Sequence, residues 1–312
     1  MRDTVVIIGT GLMGPGIAAR SSLAKNKTIL FNPNISHAQK GLIQAQNQLA
    51  ELRDNDLATS AEVDEAIRLL SCSDNLEQSL QNTRLVIEAI VENLAKKQEL
   101  FCRLDNLLPA EVPIVSNTSG LRISDIAAKM ANPQRAVTGH FWFPGHLVPL
   151  VEVVVGEKTN IDVARSVFNE FKKWGKEPVL VKKDLPGQLA NRILQAIFRE
   201  AVNIVAMDLA SPEDVDRAVK MGMGIRFPVW GPLEHIDAVG VDLCTAVQDT
   251  VLPGLSNIRE ANEYMRRLVE KGDLGYKTGK GIYDWSIKDM KALQNTRNEF
   301  IIYALKKIQP AG

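Results

Sequence analysis

The sequence predicts an α/β protein in two parts: a doubly wound, mostly parallel sheet over residues 1–185, then an all-helical C-terminal domain over residues 186–312. Three observations predict it. A chain of 312 residues is longer than one hydrophobic core usually serves. Short apolar runs rich in β-branched residues alternate with helical stretches up to Val181, the pattern of parallel strands joined by crossover helices. Beyond Lys182-Lys183-Asp184-Leu185-Pro186-Gly187 the pattern becomes almost wholly helical, with Leu189, Ile193, Ala196, Ile197, Ala201 and Ile204 at helical spacing.

Val5-Val6-Ile7-Ile8 reads as a strand buried on both faces, followed by a glycine-rich turn and a helix from Pro15 to Leu23. Thr28–Phe31 reads as the second strand and residues 36–70 as a polar helical stretch, longer than a plain crossover needs. Further strands are expected at Leu85–Ile90, Ile114–Ser116, Val137–Phe141, Leu150–Val155 and Val179–Val181, with a helix over 161–174. There is no internal repeat and no low-complexity segment.

Composition narrows the class. Lys and Arg total 37, Asp and Glu total 37, and no basic run exists, so there is no electrostatic footprint for nucleic acid or an anionic membrane. Cys72, Cys102 and Cys244 are few, odd in number and far apart, which argues against a disulfide framework or a structural zinc and for thiols in a reducing cytoplasm. The strand begins too near Met1 for a signal peptide, and no run of about 18 apolar residues occurs. No metal site is expected.

Gly9-Thr10-Gly11-Leu12-Met13-Gly14 carries the spacing of a dinucleotide turn, with a strand before it and a helix after it. Gly9 permits the tight turn, Gly11 lets the backbone approach a pyrophosphate, and Gly14 allows the helix to pack closely on the strand. Leu12 and Met13 lie in the same turn. This context makes the sheet Rossmann-type. Asn32 ends the second strand, where a carboxylate usually holds the ribose 2′-hydroxyl. An amide still hydrogen-bonds that hydroxyl but does not repel a 2′-phosphate. NAD is preferred because residues 33–39 contain no Arg, with NADP left open through His37 or Lys40.

Further segments carry chemistry. The chain reads LVIEAIVENLAKKQELF at 85–101, SNTSGL at 116–121, GHFWFPGHLVPLVEV at 139–153, KKDLPGQLANRI at 182–193 and GYKTGKGIYDW at 275–285. In this order they resemble the L-3-hydroxyacyl-CoA dehydrogenase family over nearly the whole chain. The resemblance implies that His140 is the catalytic base, that Glu152 is its carboxylate partner, and that Ser119 and Asn191 hold the substrate oxygen. It implies cofactor contacts at Glu92, Lys97 and Lys277, although each could be an ordinary solvated charge, and Asn117 is grouped with them. It also implies a homodimer through the C-terminal domain, a small-molecule substrate and a place in fatty acid metabolism. The chemistry is coherent: removing hydride from a carbinol carbon requires loss of the hydroxyl proton, and imidazole titrates near neutrality. A carboxylate fixes its tautomer and stabilises the imidazolium that forms. Trp142, Met221 and Met223 read as packing residues and His146 as structural.

The family's HFFNP segment is His140-Phe141-Trp142-Phe143-Pro144 here, so Phe143 replaces an amide with an apolar ring. Gly145–Pro149, Gly222–Phe227 and Gly231–Glu234 look more like relatives acting on free hydroxy acids, including gulonate, carnitine and pyridine-carboxylate dehydrogenases. Residues 36–70 offer only Lys40, Arg53 and Arg68 as cations for the phosphates of CoA. The sequence therefore predicts a nicotinamide-dependent secondary-alcohol dehydrogenase, with a 3-hydroxyacyl-CoA placed first and a free hydroxy acid second. A non-catalytic relative of the λ-crystallin kind and a dinucleotide sensor are the non-enzymatic alternatives. A β-hydroxyacid dehydrogenase is disfavoured, because Asn191-Arg192 stands where that type carries a catalytic lysine.

Overall fold

The computed structural model describes residues 3–308. Eight strands form one sheet in the order β3-β2-β1-β4-β5-β6-β7-β8. They are β1 (Thr4–Ile8), β2 (Lys27–Phe31), β3 (Leu70–Ser73), β4 (Thr83–Glu88), β5 (Ile114–Ser116), β6 (Ala136–Phe141), β7 (Leu150–Val154) and β8 (Glu177–Val181). The first six run parallel in the doubly wound 3-2-1-4-5-6 order. Strand β7 returns antiparallel to β6, and β8 runs parallel to β7.

The apolar runs are buried as a parallel sheet requires. Val5 and Ile7 join a core on one face with Ile17, Leu30, Ile87, Val137 and Phe171, while Val6 and Ile8 join the other with Val86, Phe101, Leu104 and Ile114. Burying each large side chain contributes about 1.5–3 kcal/mol relative to exposure. Helix α1 (Gly14–Leu23) lies on the sheet through small residues, and a methyl group at Gly16 would come within 3.0 Å of the His146 nitrogen. The cofactor helix and the loop after β6 thus pack backbone to backbone.

The helical stretch expected over 36–70 is two helices, followed by a strand. Helix α2 (Ile35–Asp54) is capped by Asn34, whose side chain accepts from the Ser36 and His37 N–H groups. Helix α3 (Ser60–Leu69) starts afresh at a Thr59/Glu62 capping box. Leu70 then turns extended into β3, an edge strand of only four residues, Leu-Ser-Cys-Ser, whose single large apolar side chain is too weak a signal to be read as a strand. Strand β4 ends at Glu88 rather than Ile90, because the Glu88 carboxylate accepts the Ile90 N–H at 2.7 Å and turns the backbone out of the ladder. The short α4 (Leu76–Ser79), then α5 (Leu94–Leu107), α6 (Ile123–Ile126) and α7 (Ile161–Lys173) complete the α/β unit.

The chain divides into compact units at Asn191/Arg192, within the first turn of α8 (Leu189–Ala206). The second unit contains the rest of α8, then α9 (Pro212–Ala218), α10 (Pro232–Val239), α11 (Val241–Val251), α12 (Glu263–Glu270) and α13 (Met290–Lys307). Among its described residues only Ile302 is buried. No described helix is long and apolar enough to cross a membrane.

Candidate active site at the carboxyl ends of the strands

The glycine turn joins β1 to α1 at the switch point, where the chain leaves for β2 on one side and β4 on the other. Gly9 has φ +109, and a Cβ there would lie 2.5 Å from the Ala89 carbonyl oxygen. A Cβ on Gly14 would lie 1.9 Å from the Gly9 oxygen, whereas one on Gly11 meets nothing within 4 Å. Two glycines therefore serve the close packing of the turn, and the third faces open space. Met13, at the N-cap of α1, supplies no side-chain cap, and the first turn holds no acid. Leu12 is 69% exposed beside it. This cradle fits an anionic pyrophosphate, which needs backbone N–H groups and room for close approach.

Asn32 follows β2 and is tied to the same turn. Its amide donates to Thr10 Oγ1 at 2.9 Å, and its oxygen accepts the Asn34 N–H at 3.0 Å.

His140 and Glu152 are directly opposite in the antiparallel β6–β7 pair. Their spacing of twelve in sequence is the geometry of a hairpin, and facing residues bring their side chains together. His140 Nδ1 lies 2.7 Å from Glu152 Oε2, with the imidazole 9% exposed and the carboxylate fully buried. Glu152 has two further donors: Trp142 Nε1 at 3.0 Å on the same oxygen, and the Ala190 N–H at 2.7 Å on the other. Burial alone would raise the pKa of Glu152, but these hydrogen bonds and the His140 charge outweigh it and hold the group below the ordinary carboxylate range. The carboxylate stays ionised, and Nδ1 is the protonated nitrogen that faces it.

The Ala190 contact also fixes the start of α8. One residue on, Asn191 Nδ2 donates to the Ser119 carbonyl at 3.3 Å. Ser119 is exposed on the loop after β5. The structure thus brings together all four residues expected to do the chemistry.

The loop bearing Ser119 is held by Glu92. Its Oε1 accepts from Thr118 Oγ1 at 2.5 Å and from the Ser119 and Gly120 N–H groups at 3.0 Å each. Burial works against ionisation of Glu92, yet these donors and Lys97 keep its pKa low. Lys97, expected to contact the cofactor, is 1% exposed and spends its ammonium on Glu88 at 2.6 Å and Glu92 at 3.4 Å. Its reach is inward because the carboxylate of Glu88 is fully buried and demands a cation. Ser116 Oγ donates to the other Glu88 oxygen at 2.6 Å. Asn117 Oδ1 accepts the Phe141 N–H at 2.8 Å, joining this loop to β6. Lys277 is exposed on a short turn, Tyr276–Thr278, in the helical unit.

Sequence reasoning missed several of these partners. Glu88 was legible as the one acid inside the apolar run Leu85–Ile90, since a charge buried in a strand needs a partner. Trp142 was read as packing, and the bond to Glu152 depends on where the chain goes after β6. Lys176 was also missed. Its Nζ donates to the carbonyls of Gly145 at 2.6 Å and Val148 at 2.7 Å, so a buried ammonium pins the 142–149 loop. Burial, with Arg20 nearby, pushes its pKa well below the usual lysine value. His146 in that loop is buried and bonded to Glu51 at 2.9 Å, in keeping with a structural part.

No group of acids, histidines or cysteines suited to a metal occurs among the described residues. A dinucleotide turn at the switch point of a doubly wound sheet, beside a histidine–carboxylate pair, defines a nicotinamide-dependent dehydrogenase.

Comparison with known proteins gives the family. The NAD-binding domain of 3-hydroxyacyl-CoA dehydrogenase matches residues 4–185, and the C-terminal domain of the same family matches residues 187–285. A probable 3-hydroxybutyryl-CoA dehydrogenase of Bacillus subtilis is 36% identical over 285 residues, covering 91% of this chain and 98% of its own. The 5-formyl-3-hydroxy-2-methylpyridine 4-carboxylate 5-dehydrogenase of Mesorhizobium japonicum is 30% identical over 311 residues, covering 99% and 98%. Among solved structures, a dehydrogenase of that pyridine carboxylate, described as an NAD+-dependent dismutase, superposes with a TM-score of 0.92 at 28% identity over 100% of both chains. The (S)-3-hydroxybutyryl-CoA dehydrogenase of Ralstonia eutropha gives 0.75 at 33% identity over 91% of this chain and 99% of its own. The chain belongs to the 3-hydroxyacyl-CoA dehydrogenase family and is an NAD-dependent enzyme of that type.

Proposed function

We propose that the enzyme oxidises a secondary alcohol with His140 as general base, and the observation that carries this is the buried 2.7 Å contact between His140 Nδ1 and Glu152. When bound, the nicotinamide supplies the hydride acceptor. His140 takes the hydroxyl proton at Nε2. Glu152 keeps the ring in that tautomer and stabilises the imidazolium. Ser119 Oγ and the Asn191 amide donate hydrogen bonds to the substrate oxygen as charge develops on it. The glycine turn holds the pyrophosphate, and Asn32 holds the adenosine ribose. Glu92 and Lys97 act on the Ser119 loop, and Lys277 serves as a further cofactor contact, as the family resemblance implies. We place the functional boundary between cofactor and substrate domains near residue 185.

A 3-hydroxyacyl-CoA is the first substrate reading, supported by the match of both family domains and by the Bacillus relative. A free acid such as a pyridine carboxylate is the second. Favouring it are the whole-length likeness to a pyridine-carboxylate dehydrogenase and a shortage of cations on α2, where Arg53 is engaged by Asp54 at 2.8 Å.

The helical unit exposes Ile193, Phe198, Met221, Leu233 and Val247, each more than 45%, among many other large apolar side chains. Such a surface is too apolar for an isolated chain in water, so the unit acts as the interface of a homodimer. Sedimentation across a dilution series checks this, and a monomer at micromolar concentration refutes it.

The activity test follows reduced-nicotinamide absorbance with acetoacetyl-CoA and, in parallel, with gulonate, carnitine and pyridine carboxylates, using NAD(H) and NADP(H). Turnover of the thioester supports the first substrate reading, and turnover only of a free acid supports the second. His140→Ala abolishes turnover on either while NAD(H) still binds. Wild-type turnover in that variant removes His140 as the base.

A further inference from the structure

The carboxylate oxygen that faces His140 is shared. Glu152 Oε2 lies 2.7 Å from His140 Nδ1 and 3.0 Å from Trp142 Nε1. Indole N–H is a donor only, so the direction of the second bond is fixed. The two rings also pack together, with centroids 5.6 Å apart and planes tilted by 56°. Trp142 is the first residue after β6, two positions beyond His140, and its indole returns to the Glu152 oxygen that faces the imidazole. The family pattern has a phenylalanine at the position of Trp142, which could supply the ring but no N–H.

We propose that Trp142 is a positioning residue that sets the basicity of His140 by donating to the oxygen on which the imidazolium depends. This rests on the reading of His140 as the base. An N–H bond to Oε2 draws negative charge from that oxygen. The imidazolium is then stabilised less, and the ring gives up its proton at a lower pH than with Glu152 alone. The ring contact holds the imidazole at a fixed tilt while it gains and loses its proton.

The other charged groups on elements packed against β6 are committed elsewhere. Strand β5 brings none. On α6, Asp125 pairs with Arg122. On α7, Glu170 is held by Arg84 and by Trp174, while Asp162, Arg165 and Lys173 are solvent-exposed and Lys172 lies over Phe168. His146 is bonded to Glu51, and Lys176 to two loop carbonyls. Behind β5, Glu88 is held by Lys97 and Ser116. Glu152 is the charged group at hydrogen-bond distance from His140.

The test is the pH profile of kcat/KM for alcohol oxidation in wild type and Trp142→Phe, with His140→Asn alongside. Oxidation needs the neutral imidazole, so activity falls on the acid side as His140 is protonated. Trp142→Phe keeps a ring and removes the N–H; the acid limb is expected to move to higher pH by about half a unit. An acid limb that stays within about 0.1 unit of wild type overturns the proposal, whatever happens to kcat or KM. If His140→Asn retains wild-type turnover, the base assignment itself fails, a result separable from an unmoved limb in an enzyme that needs His140. Should Trp142→Phe not fold, the wild-type protein labelled with 15N-tryptophan decides. The Trp142 indole proton is expected to be protected from exchange and to titrate with the His140 midpoint, and a freely exchanging, pH-insensitive indole refutes the proposal.

Discussion

Glu152→Gln removes one charge and no volume, and the geometry says what it costs. Three N–H donors converge on this side chain: His140 and Trp142 on one oxygen, and the Ala190 backbone on the other. A carboxylate accepts all three, whereas an amide has one acceptor atom and one donor atom. If the new amide turns its oxygen to Ala190, its NH2 group faces the His140 and Trp142 donors. The imidazole must then move its proton to Nε2, the nitrogen required as base. If the oxygen turns to His140, the NH2 group confronts the Ala190 N–H and leaves a buried donor unsatisfied, at about 1–3 kcal/mol. In either orientation the imidazolium loses its counter-charge. Two unit charges about 4 Å apart at an effective dielectric of about 20 interact by roughly 4 kcal/mol, of which only part has developed in the transition state. At about 1.4 kcal/mol per factor of ten, kcat for alcohol oxidation should fall about 10²–10³-fold. NAD(H) affinity, measured by fluorescence titration, should change little, because Glu152 is not part of the glycine turn. A kcat within about threefold of wild type would refute the claim that this carboxylate supports the base.

Other perturbations separate binding from architecture. Lys97→Met strips the cation from the buried Glu88 carboxylate and should destabilise the protein by about 3–5 kcal/mol in urea denaturation, with KM rising as the Ser119 loop loosens. A change below about 0.5 kcal/mol would mean that Glu88 is not charged in the folded state. Gly14→Ala drives a methyl group to within 1.9 Å of the Gly9 oxygen, so it should weaken NAD binding at least tenfold and lower the melting temperature; unchanged values for both would contradict the packing of the turn. Asn32→Asp still permits a bond with Thr10, now with the threonine hydroxyl as donor, and adds a charge that repels a 2′-phosphate. The NAD-to-NADP ratio of kcat/KM should rise, and an unchanged ratio would show that this position does not read the ribose.

Much of the sheet was legible because parallel strands buried on both faces must be written as continuous apolar runs. Val5–Ile8 and Ile114–Ser116 announce themselves in this way. The glycine turn was legible because its steric demands are local. The edge strand Leu70–Ser73 was not, since an edge strand needs little apolar sequence and its pairing with β2 is decided by a distant segment. The His140–Glu152 pair stood in sequence only as a spacing of twelve, interpretable through family resemblance. That the two face each other follows from the antiparallel register of β6 and β7.

The sequence by itself determined the class of fold, the cofactor turn and the residue types that carry the chemistry, because backbone preference and burial pattern are properties of short segments. Only the tertiary structure decided how those residues are coupled. It turned Lys97 inward onto Glu88, gave Glu92 the Ser119 loop to hold, and converged His140, Trp142 and the start of α8 on one carboxylate. Hydrogen bonds between segments far apart in sequence depend on register and chain direction, which no local pattern records, and in a buried site they decide which nitrogen carries the proton.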